Sequence, residues 1–290
     1  MPELPDIDVY VETLQERIGD RTLESIRVSK PFLIRSVDPP LSEANGRKVI
    51  ALRRIGKRIV IGLNSDLWLV LHLMVAGRLH WHNDKVSIRG RHQLAAFDFD
   101  SGTLLLTEAG TKKRASLYLV KGEQALAEHN PGGLEVLETS FADFARRLTN
   151  ENRTLKRSLT NPRAFSGIGN AYSDEILHAA RLSPVKLTRQ LTEEEKHRLF
   201  GAVVATLTEW RTRLRDAAGD GFPEKVTAFR KEMAVHGKFG KACPSCGTKV
   251  ARIRYKSKET NYCPGCQTGG KLLADRSLSR LLKDDWPDSM

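Results

Sequence analysis

Apolar residues recur at helical spacing at the start of the chain and at strand spacing after it. Ile7, Val11, Leu14 and Ile18 would share one helix face, which predicts a helix directly after the opening residues MPELPD. Short apolar segments separated by Gly, Asn, Asp and Ser follow, and this pattern predicts a β-sandwich or barrel. The predicted strands are 22–28, 31–37, 48–55, 58–63, 67–73, 93–99, 103–107 and 116–120.

The periodicity changes from strand to helix at the turn-forming run HNPGG, where we place a domain boundary. Helical spacing then predicts helices at 141–148, 153–160, 170–180 and 192–215, with a polar connection at 216–226. The predicted fold class is therefore α+β. The predicted parts are a β-sandwich domain with a leading helix at 1–130, a linker at 131–138, a helical domain at 139–235, a finger at 236–270 and a basic extension at 271–290.

Basic residues outnumber acidic residues along the chain. The sequence has 47 Lys and Arg against 35 Asp and Glu, a formal net charge of +12. Such an excess in a folded protein predicts a polyanionic partner, and at this level nucleic acid and an acidic membrane surface both fit. The most apolar stretch, 67–75, is too short to span a bilayer and contains His72, so we expect a soluble protein.

The cysteines are confined to two Cys-x2-Cys pairs near the C-terminus. Cys243 and Cys246 form the first pair, and Cys263 and Cys266 form the second after sixteen residues. Four thiolates at this spacing match tetrahedral Zn²⁺ with no open coordination position, which predicts one structural Zn²⁺. Their clustering also favours a reducing compartment over a disulfide network.

The segment between the two cysteine pairs is strongly basic. Apolar and polar positions alternate within it, which predicts a β-hairpin. A basic hairpin is suited to contact nucleic acid, and the alternative is a zinc ribbon that only stabilises the C-terminus. Glu259 alone opposes its cations, which are Lys249, Arg252, Arg254, Lys256 and Lys258.

The first three residues carry a candidate nucleophile. Removal of Met1 would leave Pro2 as a secondary amine with a pKa of roughly 8. Such an amine is substantially unprotonated near neutral pH and can attack an aldehyde-like carbon, with Glu3 available to move protons. In the alternative, Pro2 and Pro5 only stiffen the approach to a helix that Asp6 caps.

Two further segments place cations where a phosphate could bind. Gly56 and Lys57 lie between two predicted strands, which puts Lys57 at a hairpin tip. Lys112, Lys113 and Arg114 are consecutive cations on a predicted loop. Solvated turns are the alternative interpretation of both.

A glycine-rich turn, SGIGN, immediately precedes the predicted helix 170–180. Its backbone N–H groups would point from a positive helix end, an arrangement that suits a phosphate. Two helices joined by such a turn also predict a helix-turn-helix variant. The alternative is a tight connection in which Asn170 is only the N-cap.

Together these segments resemble the formamidopyrimidine-DNA glycosylase / endonuclease VIII (Fpg/Nei) family of bifunctional base-excision repair enzymes, from residue 1 to about 267. The opening MPELPD resembles the family's MPELPE. The stretch NPRAFSGIGNAYSDEILHAARLSP resembles its helix–two-turn–helix signature, and VHGKFGKACPSCG with NYCPGCQ resembles its zinc finger.

The resemblance implies a specific chemistry. The damaged nucleotide is rotated out of the duplex, and Pro2 attacks its sugar C1′ to form an iminium. Glu3 shuttles protons, and β,δ-elimination cleaves the strand without a catalytic metal. Lys57 is counted among the catalytic residues because it would bind a phosphate beside the lesion. Asn170 and the finger cation Lys258 would also bind these phosphates.

Several positions depart from the family pattern. Lys258 occupies the position where the family usually has arginine. Val75, next to Met74, occupies the position of the family's wedge methionine, the side chain that enters the duplex. The family loop with an arginine and a phenylalanine is replaced by residues 110–114, which include Lys112, Lys113 and Arg114 but no aromatic residue. Oxidised purines, oxidised pyrimidines and bulkier or cross-linked bases all stay open as substrates.

We therefore expect a DNA glycosylase with AP lyase activity that acts as a monomer on double-stranded DNA with a damaged or abasic site. No membrane partner is expected. The expected compartment is the cytoplasm, at the nucleoid, in a bacterium and the nucleus in a eukaryote. The alternatives are a non-catalytic protein that senses DNA damage and a zinc-ribbon module that binds RNA.

Overall fold

The computed structural model describes residues 1–224, 226–255 and 258–273. The chain forms two compact units, one of Met1–Pro131 with Trp210–Thr227 and the other of Gly132–Glu209 with the segment from Ala228 onward. The domain limits drawn from the sequence stay predictions. No helix within the described ranges combines the length and the apolar character that a membrane span needs.

The first unit is an antiparallel β structure with a leading helix. The helices are α1 (Leu4–Ile18) and α2 (Glu123–Ala127). The strands are β1 (Thr22–Val28), β2 (Arg47–Ile55), β3 (Arg58–Leu63), β4 (Leu67–His72), β5 (Gly77–His82), β6 (Gln93–Phe99), β7 (Gly102–Glu108) and β8 (Ser116–Lys121). Their order is β5-β7-β6-β1-β2-β3-β4-β8.

A large apolar core lies in this unit, and Val60, Trp68, Val70 and Leu126 form a separate, smaller cluster. Of the four residues that predicted the helix, Ile7, Leu14 and Ile18 are fully buried in the large core and Val11 is partly buried, while Tyr10 is fully buried next to Val11. Alternate residues of β3, β4, β6 and β7 supply most of the remainder, because successive strand side chains point to opposite faces. The core therefore fixes the orientation of α1 and of the chain start that precedes it.

Two expectations for local structure differ from what the chain forms. Residues 31–37 are not a strand, because Pro31 begins a 3₁₀ turn, Pro31–Leu33, and its ring leaves no N–H for a ladder. Conversely, β5 was not predicted. It is an edge strand paired with β7, and Leu79 is its one fully buried apolar side chain, so its alternation is weak.

The second unit is helical and ends in a finger. Its helices are α3 (Phe141–Thr149), α4 (Leu155–Leu159), α5 (Asn170–Ala179), α6 (Glu193–Ala218, whose last residues belong to the first unit) and α7 (Pro264–Thr268). Strands β9 (Ala251–Tyr255) and β10 (Lys258–Tyr262) form the predicted hairpin. The predicted fold class, α+β with an N-terminal β-sandwich, a helical domain and a four-cysteine finger, is confirmed.

Candidate functional site

The start of α1 is buried rather than frayed. Pro2 is buried and Glu3 is 2% exposed. The Glu3 amide donates a hydrogen bond of 2.9 Å to Asp6 Oδ2, so the carboxylate of Asp6 satisfies a donor at the helix N-terminus. This contact fixes the backbone at the start of α1.

Charged groups surround the chain start. Burial lowers the pKa of the Met1 α-amino group, Glu3 and Asp6 act in the opposite direction, and Arg78 and Lys57 lower the pKa further. This amine stands in for the Pro2 amine of a chain without Met1. The structure thus brings Glu3 and Lys57 close enough to change the pKa of an amine at this position.

Lys57 lies in the two-residue turn that joins β2 to β3. Gly56 has φ +59, a conformation that favours glycine, and Ile55 pairs with Arg58 to close the turn. Arg54 anchors this turn to α1, since its Nε lies 2.7 Å from Asp8 Oδ1 and its Nη1 donates to the Gly56 carbonyl at 2.9 Å. The turn that carries Lys57 is therefore tied to the helix that directly follows Pro2 and Glu3.

Arg58 and His72 face each other across β3 and β4 and were missed from the sequence. Burial lowers the pKa of Arg58, whose Nε is buried without a hydrogen-bond partner. Burial, then Arg58 and Lys57, lower the pKa of His72 to about 4, so the imidazole is neutral at neutral pH. Within the part of the chain that the structure describes, Arg58 has no carboxylate partner. A half-buried cation beside an imidazole can accept an anion such as a phosphate.

Met74 and Val75 lie in the turn between β4 and β5. Val75 is an apolar side chain with 60% exposure, and Met74 has a positive φ of +53. The turn is tight because the Gly77 amide donates to the Leu73 carbonyl, and a Cβ on Gly77 would lie 2.2 Å from that oxygen. The turn therefore presents Val75 outward on a constrained backbone.

The basic loop is only partly available for a ligand. Lys113 Nζ donates to the Glu108 carbonyl and contacts His92, so its charge is used within the unit. The buried Glu108 carboxylate accepts the Arg114 amide and orders the loop. Lys112 and Arg114 are exposed.

Asn170 is the first residue of α5 and joins the helix to the finger. Gly169 is the N-cap, so the alternative that made Asn170 the cap is wrong. Asn170 Nδ2 donates to the Glu259 carbonyl of β10 at 2.9 Å, and its own carbonyl accepts from Lys156 Nζ at 2.6 Å. Asn170 is therefore positioned by both α4 and the finger hairpin.

Two adjacent acids of α5, also missed from the sequence, anchor the approach to the finger. Asp174 Oδ1 lies 2.5 Å from Lys156 Nζ, and its Oδ2 lies 2.7 Å from His236 Nδ1. Glu175 accepts the backbone amides of residues 234, 235 and 236 at 2.7 to 2.9 Å. Both carboxylates are buried and fully supplied with donors, which fixes the finger against α5.

The four cysteines meet in one cluster, with all sulfur atoms within 4.8 Å of one another. Four thiolates around Zn²⁺ would lie about 3.8 Å apart, and Cys243 and Cys266 are separated by 3.9 Å. Burial raises the pKa of Cys263, and a bound divalent cation would favour its thiolate form. The donor set and spacing fit a structural zinc ion.

The finger hairpin begins close to this cluster. Arg252 stacks on Phe239 at 4.0 Å and, like Arg254, lies near Glu259. Lys258 begins β10 opposite Tyr255, but its side chain lies outside the described residues, as do Lys256 and residues 274–290 of the predicted extension.

Two family models match this chain. Residues 1–112 match the formamidopyrimidine-DNA glycosylase N-terminal domain, and residues 133–212 match the formamidopyrimidine-DNA glycosylase H2TH domain. The chain belongs to the formamidopyrimidine-DNA glycosylase family. The membership predicted from the order of the sequence motifs is confirmed.

Relatives of this family cover almost the whole chain. The formamidopyrimidine-DNA glycosylase of Heliobacterium modesticaldum is 32% identical over 281 residues, 92% of this chain and 100% of the relative. That of Pelotomaculum thermopropionicum is 31% identical over 280 residues, with 92% and 99% covered.

Solved structures of Lactococcus lactis Fpg share the fold. Its complex with DNA that contains an oxidised pyrimidine has a TM-score of 0.80 and 25% identity, covering 92% of this chain and 100% of that chain. Its complex with abasic-site DNA has a TM-score of 0.81 and 24% identity, covering 92% and 99%.

Proposed function

We propose that this chain is a bifunctional DNA glycosylase and AP lyase of base-excision repair, with oxidised bases as the expected lesion class. The observation that carries the proposal is the buried start of α1, where Glu3 and Lys57 act on the N-terminal amine. A lowered amine pKa leaves more of the nucleophilic, unprotonated form at neutral pH. Membership of the family supports the same conclusion.

The first chemical steps would replace the base by the enzyme. After removal of Met1, the Pro2 nitrogen attacks the sugar C1′, the N–C1′ bond forms, and the glycosidic electron pair leaves with the base, which takes up a proton. Glu3 accepts the proton of the attached amine and delivers it to the ring oxygen O4′. The ring opens, and a covalent iminium joins Pro2 to C1′.

The iminium would then promote strand cleavage. It acidifies the C2′ hydrogen, whose loss expels the 3′ phosphate, and a second elimination expels the 5′ phosphate. Lys57 supplies a positive charge to a phosphate oxygen, with Arg58 and His72 beside it. Water hydrolyses the iminium and releases Pro2, so each step uses protein groups and water.

The remaining contacts would hold double-stranded DNA. Asn170 and the finger cation Lys258 bind phosphates, Lys112 and Arg114 add exposed cations, and Val75 with Met74 enters the duplex where the damaged nucleotide leaves the stack. Lys113 has a weaker part because its charge is used internally. One structural Zn²⁺ holds the finger together, and the protein works as a monomer.

Borohydride trapping tests the proposal. Mass spectrometry first verifies that Met1 is absent, and the protein is then reduced with duplexes that carry an abasic site or a single lesion. We expect a covalent protein–DNA adduct, and we expect none from a matched protein whose N-terminus is extended by two residues, because its Pro2 nitrogen is an amide. Pro5→Ala serves as the control that alters a proline near the helix start and keeps the amine.

The outcomes separate the competing functions. Adducts of equal yield from the extended protein would show that Pro2 is not the nucleophile. Tight binding to abasic DNA by processed protein with no adduct would instead support a non-catalytic damage sensor. Across the lesion panel, the duplex with the fastest base release identifies the preferred base.

A further inference from the structure

A histidine of α5 reaches the cysteine cluster. His178, in the last turn of the helix, places its Nε2 3.2 Å from Cys243 Sγ. His178 is 8% exposed and Cys243 is 2% exposed, so water has little access to this contact. We propose that His178 donates an N–H···S hydrogen bond to the Cys243 thiolate and thereby slows the loss of zinc from the finger.

The direction of the hydrogen bond follows from the ligand chemistry. A thiolate bound to zinc has no proton and can only accept, so Nε2 must carry the hydrogen and the imidazole must be the Nε2–H tautomer. Such a bond spreads the negative charge of the sulfur and holds the Cys243 side chain in one orientation. A ligand held in place by an outer-shell partner leaves the metal more slowly.

A second contact ties the other cysteine pair to the same part of the unit. Gln267 Oε1 accepts the Cys263 amide at 2.7 Å, and its Nε2 donates to the Leu182 carbonyl, just beyond α5, at 2.9 Å. The first cysteine pair is therefore linked to α5 through His178, and the second pair is linked to the residues just after α5 through Gln267. Since Asn170 at the opposite end of α5 donates to Glu259 of the finger, the helix contacts the finger at both ends.

The inference rests on the zinc ion of the proposed function, so the test begins with zinc content. Purified wild-type protein is analysed for one equivalent of zinc, and its release to a chromogenic chelator is followed at neutral pH. His178→Phe keeps an aromatic ring and removes the donor, whereas His178→Gln keeps an N–H group. We expect release from His178→Phe to be about 10- to 100-fold faster than from wild type, the range for loss of an outer-shell partner. His178→Gln should restore most of the difference.

His197→Phe is the matched control. His197 lies in the same unit, is exposed and stacks on Phe141, which is not part of the cysteine cluster. Its replacement should therefore leave the rate of zinc release unchanged. Circular dichroism verifies that each variant is folded. In wild-type protein, ¹⁵N chemical shifts of His178 are expected to show the Nε2–H tautomer, a measurement that needs no variant.

The outcomes are distinct. Wild-type protein that binds no zinc refutes the zinc site itself. Zinc-replete protein whose release is equal in wild type and His178→Phe, or equally fast in His178→Gln and His178→Phe, refutes the hydrogen-bond role alone. An Nδ1–H tautomer in wild type refutes it as well.

Discussion

Asp174 offers the clearest quantitative test of the second unit. Its carboxylate is shared by Lys156, His236 and the Asn261 amide, at 2.5, 2.7 and 3.2 Å. The exposed fraction of the side chain is 0% for Asp174 and 11% for Lys156. Asp174→Asn keeps the shape, removes the charge and turns an amide toward one of these donors, so the lysine charge loses its counterion in a nearly dry position.

The expected magnitude follows from that burial. Removing one partner of a buried ion pair costs about 3–5 kcal/mol because the other charge stays buried. Lys156 keeps its hydrogen bond to the Asn170 carbonyl, which places the expected loss near the lower limit, about 3 kcal/mol of the free energy of unfolding. Lys156→Met added to Asp174→Asn removes the uncompensated charge and should recover most of the loss.

Urea unfolding of zinc-loaded protein, followed by the helical circular dichroism signal, measures these differences. Glu193→Gln is the control, because Glu193 pairs with Lys196 at the surface and its loss should change stability by less than about 1 kcal/mol. Two results would refute the reasoning: an Asp174→Asn protein within about 1 kcal/mol of wild type, or a double variant no more stable than Asp174→Asn.

Three further predictions concern DNA. Arg58→Met should weaken duplex binding and reduce the slope of log affinity against log salt by roughly 0.9, the value for one phosphate; fluorescence anisotropy across salt concentrations measures it, and an unchanged slope contradicts a phosphate contact. Burial lowers the pKa of the Met1 amine, and we expect the same burial to lower the pKa of the Pro2 amine once Met1 is removed. The single-turnover rate of adduct formation should therefore rise with pH to a midpoint below about 8, the ordinary value for a terminal amine; a midpoint at or above that value argues against the buried amine. Val75→Ser should slow release of a paired damaged base more than strand cleavage at an abasic site, where less unstacking is needed. Gel assays measure both rates, and an equal effect on base release and on cleavage would show that Val75 does not act as a wedge in the duplex.

Local patterns in the sequence were sufficient for features that depend on neighbours along the chain. The buried face of α1, the turn that holds Lys57 and the two cysteine pairs each follow from spacing alone. Edge strand β5 was missed because it has a single fully buried apolar side chain and so shows little alternation. The 3₁₀ turn at Pro31 was also missed, because its apolar residues predict a strand although they do not adopt strand geometry.

Features that depend on distant segments could not be predicted in this way. Asp174, Glu175 and His178 are polar residues on a helix, a pattern that is typical of a solvated face. They are buried because the finger, about sixty or more residues later, supplies the groups that they bind. Arg58 and His72 become neighbours only through the register of β3 and β4.

Arg54 provides a test of position as distinct from stability in the first unit. It joins Asp8 of α1 to the carbonyl of Gly56, beside Lys57, and its side chain is 12% exposed. Arg54→Met should therefore slow adduct formation, because the turn loses its link to the helix that follows Pro2. It should also destabilise the protein, since burial already raises the pKa of Asp8 and Arg54 opposes that shift.

The two effects can be separated with variants at neighbouring positions. In Arg54→Met the Asp8 carboxylate keeps the more distant Arg211, at 3.7 Å, but loses its closest cation. Asp8→Asn added to Arg54→Met removes this poorly compensated carboxylate and should restore part of the stability but not the rate, because the link to Gly56 is still absent. Arg53→Met is the matched control, since Arg53 lies next to Arg54 on the same strand but stacks on Trp68 and pairs with Glu123. A rate that recovers together with stability would mean that Arg54 acts only by holding the fold, and a rate lost equally in Arg53→Met would mean that the strand, and not the link, positions Lys57.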